Sequence, residues 1–274
     1  MHGIGNDYVY VNGFREQIDH PEELSIRISD RRKGIGSDGL ILILPSDKAD
    51  CRMRIFNADG SEAMMCGNGI RCVGKYAYDN GIVSSPELTV ETNSGIKKIA
   101  LQIENGKAIG ATVDMGKAIL TPHDIPMNAE GESFISRPLI VNQKEYQATA
   151  VSMGNPHCVV FFEEDVQTLA LDKIGAAFEH HEAFPARVNT EFINILDNHT
   201  LKMRVWERGS GETMACGTGA CAAAVAAVLN GFCPQGETIT VKLLGGDLQI
   251  VYQPDGTVMM TGSATHVFDG EIDL

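Results

Sequence analysis

Short apolar runs alternate along this chain with breaks rich in Gly, Asn and Pro, a pattern that predicts many strands and few helices. In the first half the strand-like runs are Tyr8–Val11, Leu40–Leu44, Met53–Phe56, Leu88–Thr92, Lys97–Ile103 and Ile109–Met115. In the second half they are Leu139–Val141, Tyr146–Ser152, Val159–Phe162, Phe192–Leu196, Met203–Trp206, Thr238–Leu244, Leu248–Tyr252 and Val258–Thr261. Pro21–Ser29 and Val166–Phe178 read as outer helices. Ile70–Tyr78 and Ala220–Leu229 read as inner ones, each ending at an Asn-Gly stop. Ala220–Leu229 is apolar on every side, and a helix without a polar face is wrapped by protein. The wrapping material is expected to be sheet.

A second pattern is repetition. Displaced by 150 residues, Met53–Gly81 (MRIFNADGSEAMMCGNGIRCVGKYAYDNG) falls on Met203–Gly231 (MRVWERGSGETMACGTGACAAAVAAVLNG) without a gap. The identities include Arg54/Arg204, Glu62/Glu212, Cys66/Cys216, Gly67/Gly217, Gly69/Gly219 and Gly81/Gly231. Near the start of each half, Gly5-Asn6-Asp7 resembles Gly154-Asn155-Pro156 at an offset of 149. Units of roughly 130 residues are each domain-sized, so the repeat is a duplicated domain and not a solenoid. Pro122 and Pro126 interrupt the pattern between the copies. The expected domains are residues 1–116 with 263–274, and residues 117–262. A last strand, Thr265–Phe268, is expected to return to the first domain.

Composition narrows the function classes. The chain has 274 residues, is 43% hydrophobic and 21% charged, and carries a net charge of −14. An acidic surface repels phosphate backbones, so nucleic acid is not an expected partner. No run approaches the ~18 apolar residues that cross a bilayer. Met1–Gly5 is not a basic stretch followed by an apolar one, so neither signal peptide nor membrane anchor is expected, and the location is expected to be cytoplasmic. Seven cysteines without a Cys-x-x-Cys pair argue against both a disulfide framework and a tetrahedral metal site. Cys51, Cys158 and Cys233 read as small buried hydrophobes.

Cys66 and Cys216 read differently. Each stands at the start of a helix, where unpaired N–H groups and the helix dipole favour negative charge and lower a thiol's pKa. The glycines beside them let a ligand approach the backbone, and the same N–H groups suit a carboxylate. A single copy is as well explained by a buried cysteine beside a tight turn. Two matched copies point to chemistry: a pseudo-twofold axis would bring the thiols face to face. Two acid/base groups flanking one carbon invert it, one removing a proton and the other returning one. Helix N-termini aimed at the substrate carboxylate would stabilise the developing enediolate.

The residues that carry this reading also carry a resemblance. Phe56-Asn57-Ala58-Asp59-Gly60-Ser61-Glu62, Met65-Cys66-Gly67-Asn68-Gly69-Ile70-Arg71-Cys72, Trp206-Glu207-Arg208-Gly209-Ser210-Gly211-Glu212-Thr213 and Ala215-Cys216-Gly217-Thr218-Gly219 are similar to the diaminopimelate epimerases. So are His2-Gly3-Ile4-Gly5-Asn6-Asp7, Gly34-Ile35-Gly36-Ser37-Asp38-Gly39 and Gly154-Asn155-Pro156-His157. The resemblance implies an α+β fold of two pseudo-symmetric domains, each a β-barrel-like sheet around a central helix. It implies conversion of LL- to meso-diaminopimelate, for lysine and peptidoglycan synthesis, with neither pyridoxal nor metal as cofactor. Carried over residue by residue, Cys66 and Cys216 are the acid/base pair. Gly67, Asn68, Gly217 and Thr218 surround the reacting carboxylate. Asn6, Asn57, Asn155, Asn189, Glu207 and Arg208 hold the rest of the substrate, a guanidinium suiting the distal carboxylate and Glu207 the distal ammonium. His157 is divided between assisting the thiols and a structural hydrogen bond. Arg54 and Arg204 match each other mid-strand and are expected to be structural. Two departures from the family stand out: the sequence begins at the Met-His-Gly motif, and Gly39 replaces a Gln found in some relatives.

Rival readings are a racemase of another amino acid, of the proline or histidine type, on the same fold, and a non-catalytic thiol protein acting in redox sensing or metal binding. The latter accounts for paired thiols but not for Cys-Gly-x-Gly helices in both halves. A homodimer is compatible with the sequence and is not read from it.

Overall fold

The computed structural model describes residues 1–273. It contains two compact units, Met1–Val113 together with the chain from Thr261 onward, and Asp114–Met260. The fold is α+β, with four α-helices and a predominance of strands among the described residues. The helices are α1 (Pro21–Ser29), α2 (Gly67–Asp79), α3 (Leu171–Glu179) and α4 (Gly217–Leu229). No helix among the described residues is long and apolar enough to cross a membrane.

Both units are built on the same strand plan. In the first, Val9–Asn12 runs parallel to Gly39–Leu44, which is antiparallel to Cys51–Asn57, which is parallel to Glu87–Thr92. In the second, Pro156–Phe161 runs parallel to Asn189–Asp197, which is antiparallel to Thr200–Glu207, which is parallel to Thr238–Leu243. Register is preserved as well as order. Tyr10 faces Ile41 and Ile41 faces Ile55 in one unit; Val159 faces Glu191 and Glu191 faces Val205 in the other. Ile41 and Glu191 therefore occupy the same place in the two copies.

Each sheet wraps one helix. In α4 every residue from Gly219 to Ala227 is buried, as its all-round apolar sequence requires. In α2 the buried face includes Arg71 and Lys75, and both are satisfied locally. Arg71 donates to the Gly67 carbonyl at 3.1 Å, to Asn68 Oδ1 at 3.2 Å and to the Ser263 carbonyl at 3.1 Å. Lys75 pairs with Asp79 at 2.8 Å, one turn on, and with the Ala108 carbonyl. Buried charge is tolerated here because each cationic head is met by several acceptors. Both helices begin directly after their cysteine, a turn earlier than periodicity indicates.

Two local expectations need correction. Val166–Phe178 is not one helix: a 3₁₀ turn at Val166–Thr168 precedes α3. Arg204 Nη1 takes the carbonyls of Val166 and Leu169 at 2.8 and 2.7 Å, acceptors that a continuous helix would need for its own N–H groups. The last segment returns to the first unit through a single bridge, His2 to Thr265, and Val267 and Phe268 are exposed instead of continuing as a strand.

Candidate active site

In the first unit the polypeptide reaches Cys66 through the Cys51–Asn57 strand and a turn held by Asp59, whose carboxylate accepts the Ser61 N–H at 2.9 Å. Asn57 donates to Ser61 Oγ at 3.0 Å within that turn. Arg54 then clamps Glu62 with a two-pronged contact, 2.8 and 3.0 Å, fixing the segment that enters α2. Cys66 is the N-cap of α2, and its sulfur accepts the Gly69 N–H at 3.3 Å. The thiol also donates to Asn6 Oδ1 at 3.3 Å, and Asn68 Nδ2 reaches the same oxygen at 3.5 Å. Asn6 is oriented by donating to Asp38 at 2.7 Å, and Asp38 and Asp7 share Arg31. Asn6, Cys66, Gly67 and Asn68 thus form one cluster, with Asn57 in the adjoining turn.

The second unit repeats the scaffold with different side chains. Arg204 clamps Glu212 at 2.7 and 2.8 Å, as Arg54 clamps Glu62, so this expected pairing is structural in both copies. The preceding turn is held from α3: Glu179 accepts the Gly209 N–H at 2.9 Å and the Trp206 indole N–H at 2.8 Å. Asn189 Oδ1 accepts the Arg208 N–H at 2.8 Å, while the exposed Arg208 guanidinium donates to the Ala186 carbonyl at 2.9 Å. Cys216 caps α4 but is buried, unlike Cys66, and its sulfur lies 3.6 Å from Thr218 Oγ1. Asn155 Nδ2 donates to Thr218 Oγ1 at 3.3 Å, and Asn155 Oδ1 lies 3.1 Å from His157 Nε2. Asn155, His157, Cys216, Thr218 and Glu207 belong to one connected network; Asn189 and Arg208 shape its neighbouring turn.

The environment of Cys216 departs from what a helix N-terminus alone implies. Burial pushes its thiol well above the ordinary range, and the carboxylates of Glu207 and Glu191 push the same way, against the Thr218 hydroxyl. The dipole is real, but desolvation and two carboxylates outweigh it. Glu207 is raised in turn, mainly by burial, and is offset by donors from Thr213 and the Cys216 thiol and by the proximity of His157. A proton shared between a desolvated thiol and a desolvated carboxyl suits acid–base work.

Sequence reasoning missed one member of this network. Glu191 is fully buried and its Oε1 lies 2.7 Å from His157 Nδ1. The signal was available, because a charged residue stands in one copy where the other has Ile41. The glycines acquire a packing role as well. A Cβ on Gly69 would meet Ile41 Cδ1 at 2.6 Å, and one on Gly219 would meet Glu191 Oε1 at 2.6 Å. The second glycine of each Cys-Gly-x-Gly thus admits the side chain beneath it. At Gly39 a Cβ would sit 2.1 Å from the Phe56 carbonyl, which explains why no side chain projects from that position here. No group of three or more His, Cys, Asp or Glu able to hold a metal ion occurs among the described residues.

The family profile described as diaminopimelate epimerase matches residues 1–121 and 149–267, the greater part of the chain.

The chain belongs to the diaminopimelate epimerase family.

A diaminopimelate epimerase of Acetivibrio thermocellus is 54% identical over 275 residues, covering 100% of this chain and 97% of the relative. One of Desulfovibrio desulfuricans is 56% identical over 278 residues, covering 99% and 96%. The chain is accordingly an isomerase of the epimerase class. The crystal structure of a probable proline racemase from Agrobacterium radiobacter superposes with a TM-score of 0.70 at 16% identity, covering 100% of this chain and 91% of that one. At that identity the likeness concerns the fold alone. Within the epimerase family, then, this chain carries the duplicated scaffold with a partly exposed cysteine in one copy and, in the other, a buried one beside two carboxylates.

Proposed function

We propose that the chain interconverts LL- and meso-diaminopimelate, in lysine and peptidoglycan biosynthesis, with Cys66 and Cys216 as the acid/base pair. The observation that carries the proposal is the matched placement of the two cysteines, each capping a central helix at the same point of the same strand plan. One thiolate removes the proton from the α-carbon, and the other thiol delivers a proton to the opposite face. The electron pair left on carbon delocalises into the substrate carboxylate. Backbone N–H groups of Gly67, Asn68, Gly217 and Thr218 would hold that carboxylate, their dipoles opposing its growing charge. The chemistry asks for neither pyridoxal nor metal, because the carbanion is stabilised by fixed dipoles and both proton transfers are made by side chains. Asn6, Asn57, Asn155, Asn189, Glu207 and Arg208 are assigned to the remainder of the substrate.

The test is a stereoinversion assay on LL-diaminopimelate beside proline, histidine and lysine. Turnover of diaminopimelate alone is expected; preferred turnover of another amino acid would replace the substrate assignment. Arg208→Met should lose about 100-fold in kcat/KM on diaminopimelate, the loss of a hydrogen-bonded charge pair. Wild-type kinetics in that variant would remove Arg208 from the distal site.

A further inference from the structure

Glu191 is a buried, titratable residue to which the acid/base scheme gives no part. Both the residue and His157 are fully buried, joined by the 2.7 Å contact between Oε1 and Nδ1. The other carboxyl oxygen, Oε2, is buried without a hydrogen-bond partner. A carboxylate so placed is costly unless a neighbouring charge balances it.

The direction of the surrounding hydrogen bonds identifies that charge. Asn155 Nδ2 donates to Thr218 Oγ1, so its Oδ1 faces His157 Nε2 as an acceptor, an arrangement matched by a proton on Nε2. Glu191 Oε1 faces Nδ1 at 2.7 Å, and a carboxylate there is matched by a proton on that nitrogen. With Thr218 Oγ1 already accepting from Asn155, its own proton is free to point at Cys216 Sγ, 3.6 Å away. Read in this direction, the donors His157, Asn155 and Thr218 all face the same way, toward Cys216 Sγ. The charged groups facing His157 are Glu191, on the Asn189–Asp197 strand, and Glu207, at the end of Thr200–Glu207.

We propose that Glu191 is a positioning residue: by holding His157 as a doubly protonated imidazolium it orients the Asn155–Thr218 relay, so that Cys216 receives a hydroxyl donor at sulfur. The device belongs to one half only, since the corresponding position in the first unit is Ile41. A neutral His157 protonated at Nδ1 alone would present a lone pair to Asn155. The amide would then turn over, Thr218 would donate to the amide oxygen, and the sulfur would lose its donor. The catalytic consequence rests on the assignment of Cys216 as an acid/base group.

The experiment uses full-length protein labelled with ¹⁵N-histidine, at a single near-neutral pH, with His157→Gln assigning the His157 resonances. In the wild type both ring nitrogens of His157 are expected to be protonated; in Glu191→Gln only one. In parallel, kcat of Glu191→Gln should fall about tenfold, the equivalent of one hydrogen bond to a charged group. KM should stay within about threefold of wild type, because the relay acts on the chemical step. Glu191→Asp, which keeps the charge, should retain both ring protons and recover most of the rate. A singly protonated His157 in the wild type overturns the proposal. So does a Glu191→Gln variant with an altered ring but unchanged kcat. The wild-type spectrum decides the protonation even if Glu191→Gln does not fold. Full activity of Cys216→Ala would instead overturn the acid/base assignment, and would leave the His157 spectrum as it is.

Discussion

The neighbourhoods of Cys66 and Cys216 share a backbone and differ in charge. Cys66 is partly exposed and meets the Gly69 N–H and the amide of Asn6. Cys216 is buried and faces Glu207, Glu191 and, through Asn155, His157. Strand order, register, the Arg–Glu clamp, the capping cysteine and the Asn-Gly stop are common to both. Duplication therefore preserved what sets the position of the sulfur and released the side chains that surround it. Two bases that act on opposite faces of one carbon have to be equivalent in placement; they have no need to be equivalent in acidity.

The largest expected effect tests the equivalence of placement. Cys66→Ala and Cys216→Ala should each reduce epimerisation by about 1,000-fold or more, the scale of a lost general acid or base, with circular dichroism unchanged. Substantial activity in one variant and not the other would reduce the pair to a single base.

The next effect separates the two glycines. Gly219→Ala should cost about 2 kcal/mol in urea unfolding, since its methyl meets a carboxylate tied to His157, whereas Gly69→Ala meets a rotatable Ile41 methyl and should cost less than about 1 kcal/mol. Equal losses would mean that Glu191 is not held as rigidly as its 2.7 Å contact indicates.

The clamps should differ as well. Arg204 serves Glu212 and three backbone carbonyls, with 12% of its side chain exposed, while Arg54 serves Glu62 with 31% exposed. Arg204→Met is expected to lose about 2 kcal/mol by strand-to-helix unfolding measurements, and Arg54→Met less than about 1 kcal/mol. The reverse order would show that the clamp itself, and not its anchorage on the 3₁₀ turn, sets the stability.

The smallest effect concerns acidity. The Glu207 carboxylate raises the Cys216 thiol, so Glu207→Gln removes a charge that opposes thiolate formation, and the thiol should ionise at lower pH. The readout is the pH profile of iodoacetamide alkylation in a Cys66→Ala background. A profile displaced to higher pH would mean that Glu207 acts on Cys216 chiefly as a proton acceptor.

What the sequence disclosed and what it withheld divide along the same line. The repeat, the two central helices and the cysteines at their heads follow from local composition and spacing, because capping, Asn-Gly stops and all-round apolarity are read within a turn or two. The break before α3 was hidden because its cause, Arg204, lies more than thirty residues downstream. The acidity of Cys216 was hidden for a like reason: Glu191 and Glu207 come from separate strands, and burial is a property of the assembled sheet. The contacts of His157 with Glu191 and Asn155 were hidden likewise, because Glu191 lies on another strand. Glu191 itself was visible only by comparing the copies position by position.

The all-alanine character of α4 has a consequence for how this gene can drift. From Gly219 to Ala227 the helix is buried and carries nothing larger than Val225. With neighbours packed one methyl away, an added methylene costs about 1–3 kcal/mol, a large share of a typical domain's stability. Most single-nucleotide changes in that stretch enlarge a side chain or introduce a polar one, so a saturation library should show a block of intolerance there. The more exposed Tyr76 and Tyr78 of α2 should vary freely by comparison. The second thiol is thus mounted on the part of the molecule with the fewest neutral mutational neighbours.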